Sequence, residues 1–247
     1  MSTTAPYIIE IATTDFTTTK AAVAGGADRI ELCSALSEGG TTPTYGTIRQ
    51  CRESFDVQLF PIIRPRSGDF FYSDEEYQIM LYEIRVCKDL GCDGVVIGLL
   101  QADGSIDLKR TSGLIHAAYP MEVTFHRAFD RCLDPYEALE QLISVGCQRI
   151  LTSGQQPTVM EGIETLTALV EKAADRIIIM PGSGVRKENI KILAEQTKAL
   201  EFHSSLRGKQ ASSMEFLHPA FVNSAESYTN PSINPEEVKA LRNALFT

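Results

Sequence analysis

The chain has 247 residues, 43% hydrophobic and 22% charged, which is enough apolar material for the core of one large domain and too much for a disordered chain. Its net charge of -9 sets up a field that repels nucleic acid and anionic membranes, so an anionic ligand has to be held by a local cluster of donors. The opening MSTTAPYIIE lacks a basic region followed by a long apolar run, no later stretch approaches the roughly 20 apolar residues that span a bilayer, and the cysteines at 33, 51, 87, 92, 132 and 147 show no C-x-x-C spacing. The expectation is a cytoplasmic protein with reduced, buried thiols and with no nucleic-acid or membrane partner.

Along the chain, short apolar runs fall at 7–12, 28–33, 58–64, 93–98, 121–126, 148–153, 176–181 and 199–203. VAGGADRIELC, DLGCDGVVIG and SVGCQRILTSG share one pattern: a helix end, a glycine, then a run rich in Ile, Val or Leu. A glycine suits the left-handed helix cap and the branched run suits a buried strand, which makes each an α-to-β joint. Helix starts are marked by Ser73 with Glu76, by Asp134 before Pro135, by Thr158 ahead of VMEGIETLTALVEKA, and by Asn234 with Pro235. Eight strands alternating with helices predict an α/β fold, a single (β/α)8 TIM-like barrel over residues 1–247, with a long loop at 204–233 after the last strand.

In such a barrel alternate strand residues face the axis and the others face the helices. The helix-facing side must be apolar, so Ile9, Ile11, Ile30, Leu32, Val123, Phe125 and Phe202 point outward. Glu10, Arg29, Glu31, Cys33, Glu122, Thr124, His126, Glu201 and His203 then point inward. Arg64 aims at the axis, Arg66 lies just beyond its strand, and Ser153 comes from the sixth strand. Charges in a narrow interior need partners, so Glu31 or Glu10 should pair with Arg64. A single inward pair serves equally well as a structural plug; convergence of polar groups from at least five strands is what suggests a site. Asp130, close to His126 and Arg127 in VTFHRAFD, either joins that pocket or bridges to Arg127 or Arg131. Gly182, Ser183 and Gly184 after the seventh strand, with Ser204, Ser205 and Arg207 after the eighth, occupy the loops where this architecture holds phosphate, or else form a tight turn.

GGADRIELCSALSEGGTTPTYG, IIRPRSGDFFYS, VTFHRAFD, RILTSG, MPGSGV and EFHSS resemble the CutC family from the first strand to the end of the eighth. The resemblance implies a cytoplasmic, commonly oligomeric TIM-like barrel described as copper-binding and assigned to copper trafficking or tolerance. It implies a polar pocket of Glu10, Glu31, Cys33, Arg64, Arg66, His126, Arg127, Asp130, Ser153 and His203, with Cys33 the candidate copper ligand. Relatives used to argue for Cu(I) carry a second cysteine at the end of the first strand, where this chain has Ala12; Cu(I) prefers soft ligands, and Cys33 is left with at best an imidazole.

Three functions therefore compete. One is copper handling through Cys33. The second is an acid/base enzyme, a lyase or isomerase, acting on a small phosphorylated or carboxylated metabolite at the barrel mouth, with Glu10 or Glu31 as base, His126 as acid, and Arg64, Arg66 and the last two loops holding the anion. The third is a scaffold whose long final loop makes the contacts of a homodimer or higher homo-oligomer.

Overall fold

Gly26, Gly91 and Gly146 have φ of 88°, 73° and 78°, the left-handed turn that lets a helix stop and a strand begin without a Cβ clash. The computed structural model describes residues 7–221 and 228–246. The elements run β1 (Ile8–Thr13), α1 (Phe16–Ala24), β2 (Arg29–Leu32), α2 (Tyr45–Ser54), β3 (Gln58–Pro61), α3 (Asp74–Asp89), β4 (Gly94–Ile97) and α4 (Leu108–Ala118). They continue with β5 (Glu122–Phe125), α5 (Pro135–Ser144), β6 (Arg149–Thr152), α6 (Ile163–Ala173), β7 (Ile178–Pro181), α7 (Ile190–Thr197), β8 (Glu201–Ser204), β9 (Arg207–Ala211), β10 (Thr229–Ile233) and α8 (Pro235–Asn243). Among the described residues no helix is long and apolar enough to cross a membrane.

Strands β1 to β8 are parallel and form two four-stranded ladders, ordered β3-β2-β1-β8 and β4-β5-β6-β7. The halves meet through single parallel bridges, Ile62 with Val96 and Gly182 with His203. The strands thus follow chain order around one axis, as a (β/α)8 barrel requires, although the ladder is not continuous at those two seams. Local signals explain the helix starts: Ser73 and Glu76 form a reciprocal capping box, and Asp134 and Asn234 cap helices whose first turns carry Pro135 and Pro235.

The two faces of the strands separate cleanly. Ile9, Ile11, Ile30, Leu32, Leu59, Val95, Val123, Phe125, Ile150 and Phe202 belong to one large apolar cluster with helix residues such as Ile48, Ile84, Leu139, Leu169 and Leu241. Cys33, Phe60, Ile62 and Val96 form a second, small cluster on the inner side. Much of the rest of the interior is polar, with Leu151 among its apolar members, and its lower end is an ion network. Arg29 and Arg149, each 2% exposed, both donate to Glu201 Oε2, at 2.7 and 2.5 Å, and Arg149 also reaches Glu122 at 3.0 Å and Thr124 Oγ1 at 3.2 Å. Both guanidinium groups lie over the Phe60 ring. Arg29, Glu122, Arg149 and Glu201 each begin their strand, so this network closes the N-terminal end of the barrel.

Two expectations change. The helix expected from Thr158 begins at Ile163, with Gly162 as its cap. The chain first crosses the loop after β6 so closely that a Cβ at Gly162 would sit 1.9 Å from the Ser153 carbonyl, and Thr158 instead steadies that turn through Glu161. The long loop at 204–233 contains the antiparallel ribbon of β9 and β10, whose alternation is too polar to read as strands; its residues 222–227, like residues 1–6 and 247, lie outside the described residues.

Removing one member of a buried ion network leaves an uncompensated charge in low dielectric. We expect Arg149→Met to lower the unfolding free energy by about 3 kcal/mol or more, measured by urea denaturation at pH 7. A loss below about 1 kcal/mol would show that the network is not fully desolvated.

Candidate functional site at the barrel mouth

At the C-terminal ends of the strands lies a cavity of about 430 Å³, lined among others by Glu31, Arg64, Phe70, His126, Arg127, Asp130, Ser183, Gly184, Arg186, His203, Ser204 and Arg207. Strand alternation brings in Glu31, His126 and His203, and the loops after β3, β5, β7 and β8 supply the rest. The residue that follows β4 makes room: at Gly98 a Cβ would stand 2.3 Å from the His126 ring.

Glu10 joins the lower network to this mouth. It is fully buried; its Oε1 accepts from His203 Nδ1 at 2.7 Å while Oε2 lies 3.5 Å from Arg29. Burial opposes ionisation of Glu10, but the hydrogen bond and charge of His203, with Arg29 and Arg149, outweigh it and hold the carboxyl below its usual range. Burial likewise opposes the charge on His203, yet the carboxylates of Glu31 and Glu10 raise its pKa above the ordinary histidine value. Nε2 of His203 is 3.8 Å from Glu31 Oε2. Glu31 is 5% exposed, makes no hydrogen bond among the described residues, and is pushed up to about 7 by burial, partly offset by His203 and reinforced by Glu10.

His126 behaves differently. Its Nδ1 accepts from the Ala128 N–H at 3.0 Å, so in the neutral ring the proton sits on Nε2, which is buried without a hydrogen-bond partner. Burial and then the Arg64 charge press its pKa down to about 3, keeping it neutral near pH 7. Phe70 bridges the two groups, its ring 4.9 Å from that of His126 and 5.0 Å from the Arg64 guanidinium carbon.

Arg64 does not pair with Glu31 or Glu10. Its guanidinium donates to the carbonyls of Glu38, Gly40 and Gly68 at 2.9, 2.7 and 2.9 Å. The carboxylates turn instead to Arg29 and His203, because Arg29, two residues before Glu31 on β2, stands in register with Glu10 and reaches it first. Among the described residues Arg64 makes no ion pair: this buried cation, 3% exposed, lines the cavity with carbonyls for partners, no carboxylate, and its Nε without an acceptor.

The other expected site residues divide. Asp130 is saturated: it accepts from Arg127 Nε at 2.7 Å, Thr152 Oγ1 at 2.5 Å, Ser153 N and Oγ at 3.0 Å, and Gln155 N at 3.2 Å. With Ser153, which also accepts from Arg127 at 2.9 Å, it clamps the loops after β5 and β6 and positions Arg127; it is not a free base. Ser183 and Gly184, with φ of 91° and 81°, line the cavity. Gly182 lies deeper, its N–H donating to the Thr152 carbonyl, where a Cβ would stand 2.3 Å from Leu151. Ser204 donates to the Val185 carbonyl and accepts from Arg186, and Arg207 reaches the Leu36 carbonyl. Arg66 is turned away from the cavity, bound by Glu76 and Asp69 over the Tyr72 ring.

Cys33 is fully buried, its Sγ donating to the Thr13 carbonyl at 3.2 Å, and packs on Phe60, Ile62 and Val96. Burial, with Glu31 and Glu10 nearby, raises its pKa well above the usual thiol value, opposite to the deprotonation that copper ligation needs. Among the described residues no group of three or more His, Cys, Asp and Glu side chains is gathered so as to hold a metal ion. This donor set does not fit a Cu(I) thiolate site.

The sequence reading left out Arg149, Arg186 and the role of Arg29. Alternation from Ser153 back through Leu151 would have placed Arg149 inward; Arg186 carries no such signal.

Glu31 has a stability consequence. With a folded pKa of about 7 against an ordinary 4.5, its neutral form is favoured by folding, so the stability this gives at low pH is lost as pH rises through that window and stays lost above it. We expect Glu31→Gln to be more stable than the parent at pH 8, by on the order of 1–3 kcal/mol, with the gap closing toward pH 4.5, as followed by thermal melts across pH.

With this geometry the chain can be set beside known proteins. The sequence model of the CutC family matches residues 7–208. A CutC family protein from Chromobacterium violaceum is 45% identical over 241 residues, covering 96% of this chain and 98% of that one. One from Parabacteroides distasonis is 50% identical over 210 residues, 85% of this chain and 86% of the relative. Among solved structures, a CutC from Streptococcus agalactiae named for copper homeostasis superposes with a TM-score of 0.77 at 33% identity, over 80% of this chain and 97% of that one. The chain belongs to the CutC family.

Proposed function

We propose that this CutC-family chain serves in copper homeostasis, as the Streptococcus agalactiae relative is named, by binding a small anionic ligand in the barrel mouth rather than by holding Cu(I) on a thiolate. The supporting observation is the adjacent pair of Arg64, a buried cation without a carboxylate partner, and His126, whose Nε2–H is buried without an acceptor. Each is costly until something fills the cavity: an unmade hydrogen bond costs about 1–3 kcal/mol and a buried charge more. A carboxylate or phosphate in the cavity would bring opposite charge to Arg64 and an acceptor to the His126 side. Arg127, Arg186 and Arg207 line the same cavity and give a ligand's remaining charge a place, which a protein of net charge -9 must supply locally.

Inorganic phosphate is expected to raise the melting temperature in a saturable way, and Arg127→Gln to weaken that binding about tenfold by calorimetry. No saturable stabilisation by phosphate, sulfate or small carboxylates would remove this reading. A Cu(I) titration of the reduced protein against a competing chelator is expected to give the same curve for the parent and for Cys33→Ser; a parent that binds at least tenfold more tightly would restore the thiolate.

A further inference from the structure

We propose that the mouth catalyses proton transfer at a carbon next to a carbonyl in a small anionic oxo compound, with Glu31 as the base and His126 Nε2–H as the donor to the carbonyl oxygen. This rests on the anion-binding reading above and adds a reaction to it.

Three carboxylates line the cavity, and only one is suited to take a proton. Asp130 is fixed by five donors, and Glu38 is exposed on the rim. Glu31 is buried, without a hydrogen bond among the described residues, and its value of about 7 lies where a base is half ready near neutral pH. Behind it stands His203, with Nε2 3.8 Å from Glu31 and Nδ1 held at 2.7 Å by Glu10, itself anchored near Arg29. That series fixes His203 beside Glu31, with its charge favoured by both carboxylates.

The electrophilic side is His126. Its tautomer is set by the Ala128 N–H, its ring lines the cavity and is confined by Phe70, Phe125 and the space at Gly98, and its Nε2 is buried without a protein acceptor. A neutral imidazole held this way polarises a carbonyl and holds the oxygen as charge develops, and the adjacent Arg64 charge strengthens the effect. In the step itself the C–H bond breaks, its proton going to a Glu31 oxygen. The bonding pair forms a carbon-carbon double bond, and the carbonyl π pair moves onto the oxygen that His126 holds. Return of the proton to the same or the neighbouring carbon completes exchange or isomerisation, with no net oxidation and no co-reactant.

The test is solvent exchange. Pyruvate, oxaloacetate and dihydroxyacetone phosphate, covering one carboxylate, two carboxylates and a phosphate, are incubated with the protein in D2O and followed by proton NMR. Parallel calorimetry with inorganic phosphate reports whether the mouth binds anions. The expected result is loss of the α C–H signal of at least one compound at ten or more times the buffer-corrected rate. Glu31→Gln should lower that rate about a hundredfold while still binding phosphate, and His126→Asn should lower both the exchange rate and the affinity for phosphate. Exchange no faster than buffer for all three compounds, with phosphate still binding, overturns the proton-transfer proposal and leaves the anion site standing. Absence of phosphate binding overturns both. Exchange undiminished in Glu31→Gln removes Glu31 as the base.

Discussion

The carboxylate of Glu10 is the contact on which the interior depends. One oxygen lies beside Arg29, in the ion network that closes the lower end of the barrel, and the other accepts from His203, which stands in the cavity. A fully buried carboxylate is tolerated only when paired, and here each pairing serves a different end of the axis. The lower end is self-sufficient: Arg29, Arg149, Glu201 and Glu122 hold one another over the face of Phe60. Glu10 carries that fixed geometry one layer up, where it sets the orientation of His203 and, through it, the charge that Glu31 meets.

The upper end is not self-sufficient. Arg64 has carbonyls where a carboxylate would be expected, His126 has a donor with no acceptor, and Glu31 sits close to its point of half ionisation. Folded chains hold such groups where strain serves a ligand, and the three line one cavity. Cys33, by contrast, is satisfied in every respect, with its thiol bonded to a carbonyl and its flanks packed by Phe60, Ile62 and Val96. Of the two chemistries that the family resemblance and the polar residues suggest for this interior, the anion site has the unmet physical demand and the thiolate site has none.

Much of this was legible in the sequence because period-two alternation is a strong constraint once one face must be apolar. Glu10, Glu31, His126 and His203 could be turned inward from Ile9, Ile30, Phe125 and Phe202 alone, and the joints at Gly26, Gly91 and Gly146 fixed where strands begin. Pairing was not legible. Whether Arg64 or Arg29 meets Glu10 depends on height along the axis, which follows from the register between strands and is invisible in a one-dimensional pattern. The ribbon of β9 and β10 escaped because its residues are almost all exposed and carry no apolar alternation. Asp130 showed the limit of proximity in sequence: its neighbours His126 and Arg127 suggested chemistry, while its partners Thr152, Ser153 and Gln155, more than 20 positions away, make it a clamp.

The central claim is that the mouth keeps an unpaired, neutral His126 donor near an Arg64 that has no carboxylate partner, so that an anion can bind there. Long-range proton–nitrogen NMR of the imidazole rings tests it directly, since the chain has only 4 histidines. The account predicts that His126 stays neutral from pH 5 to 8 with its proton on Nε2, and that this nitrogen, alone among those of His126, shifts markedly as an anion is added. A His126 that gains a proton near pH 6, carries its proton on Nδ1, or fails to respond to any anion would contradict it.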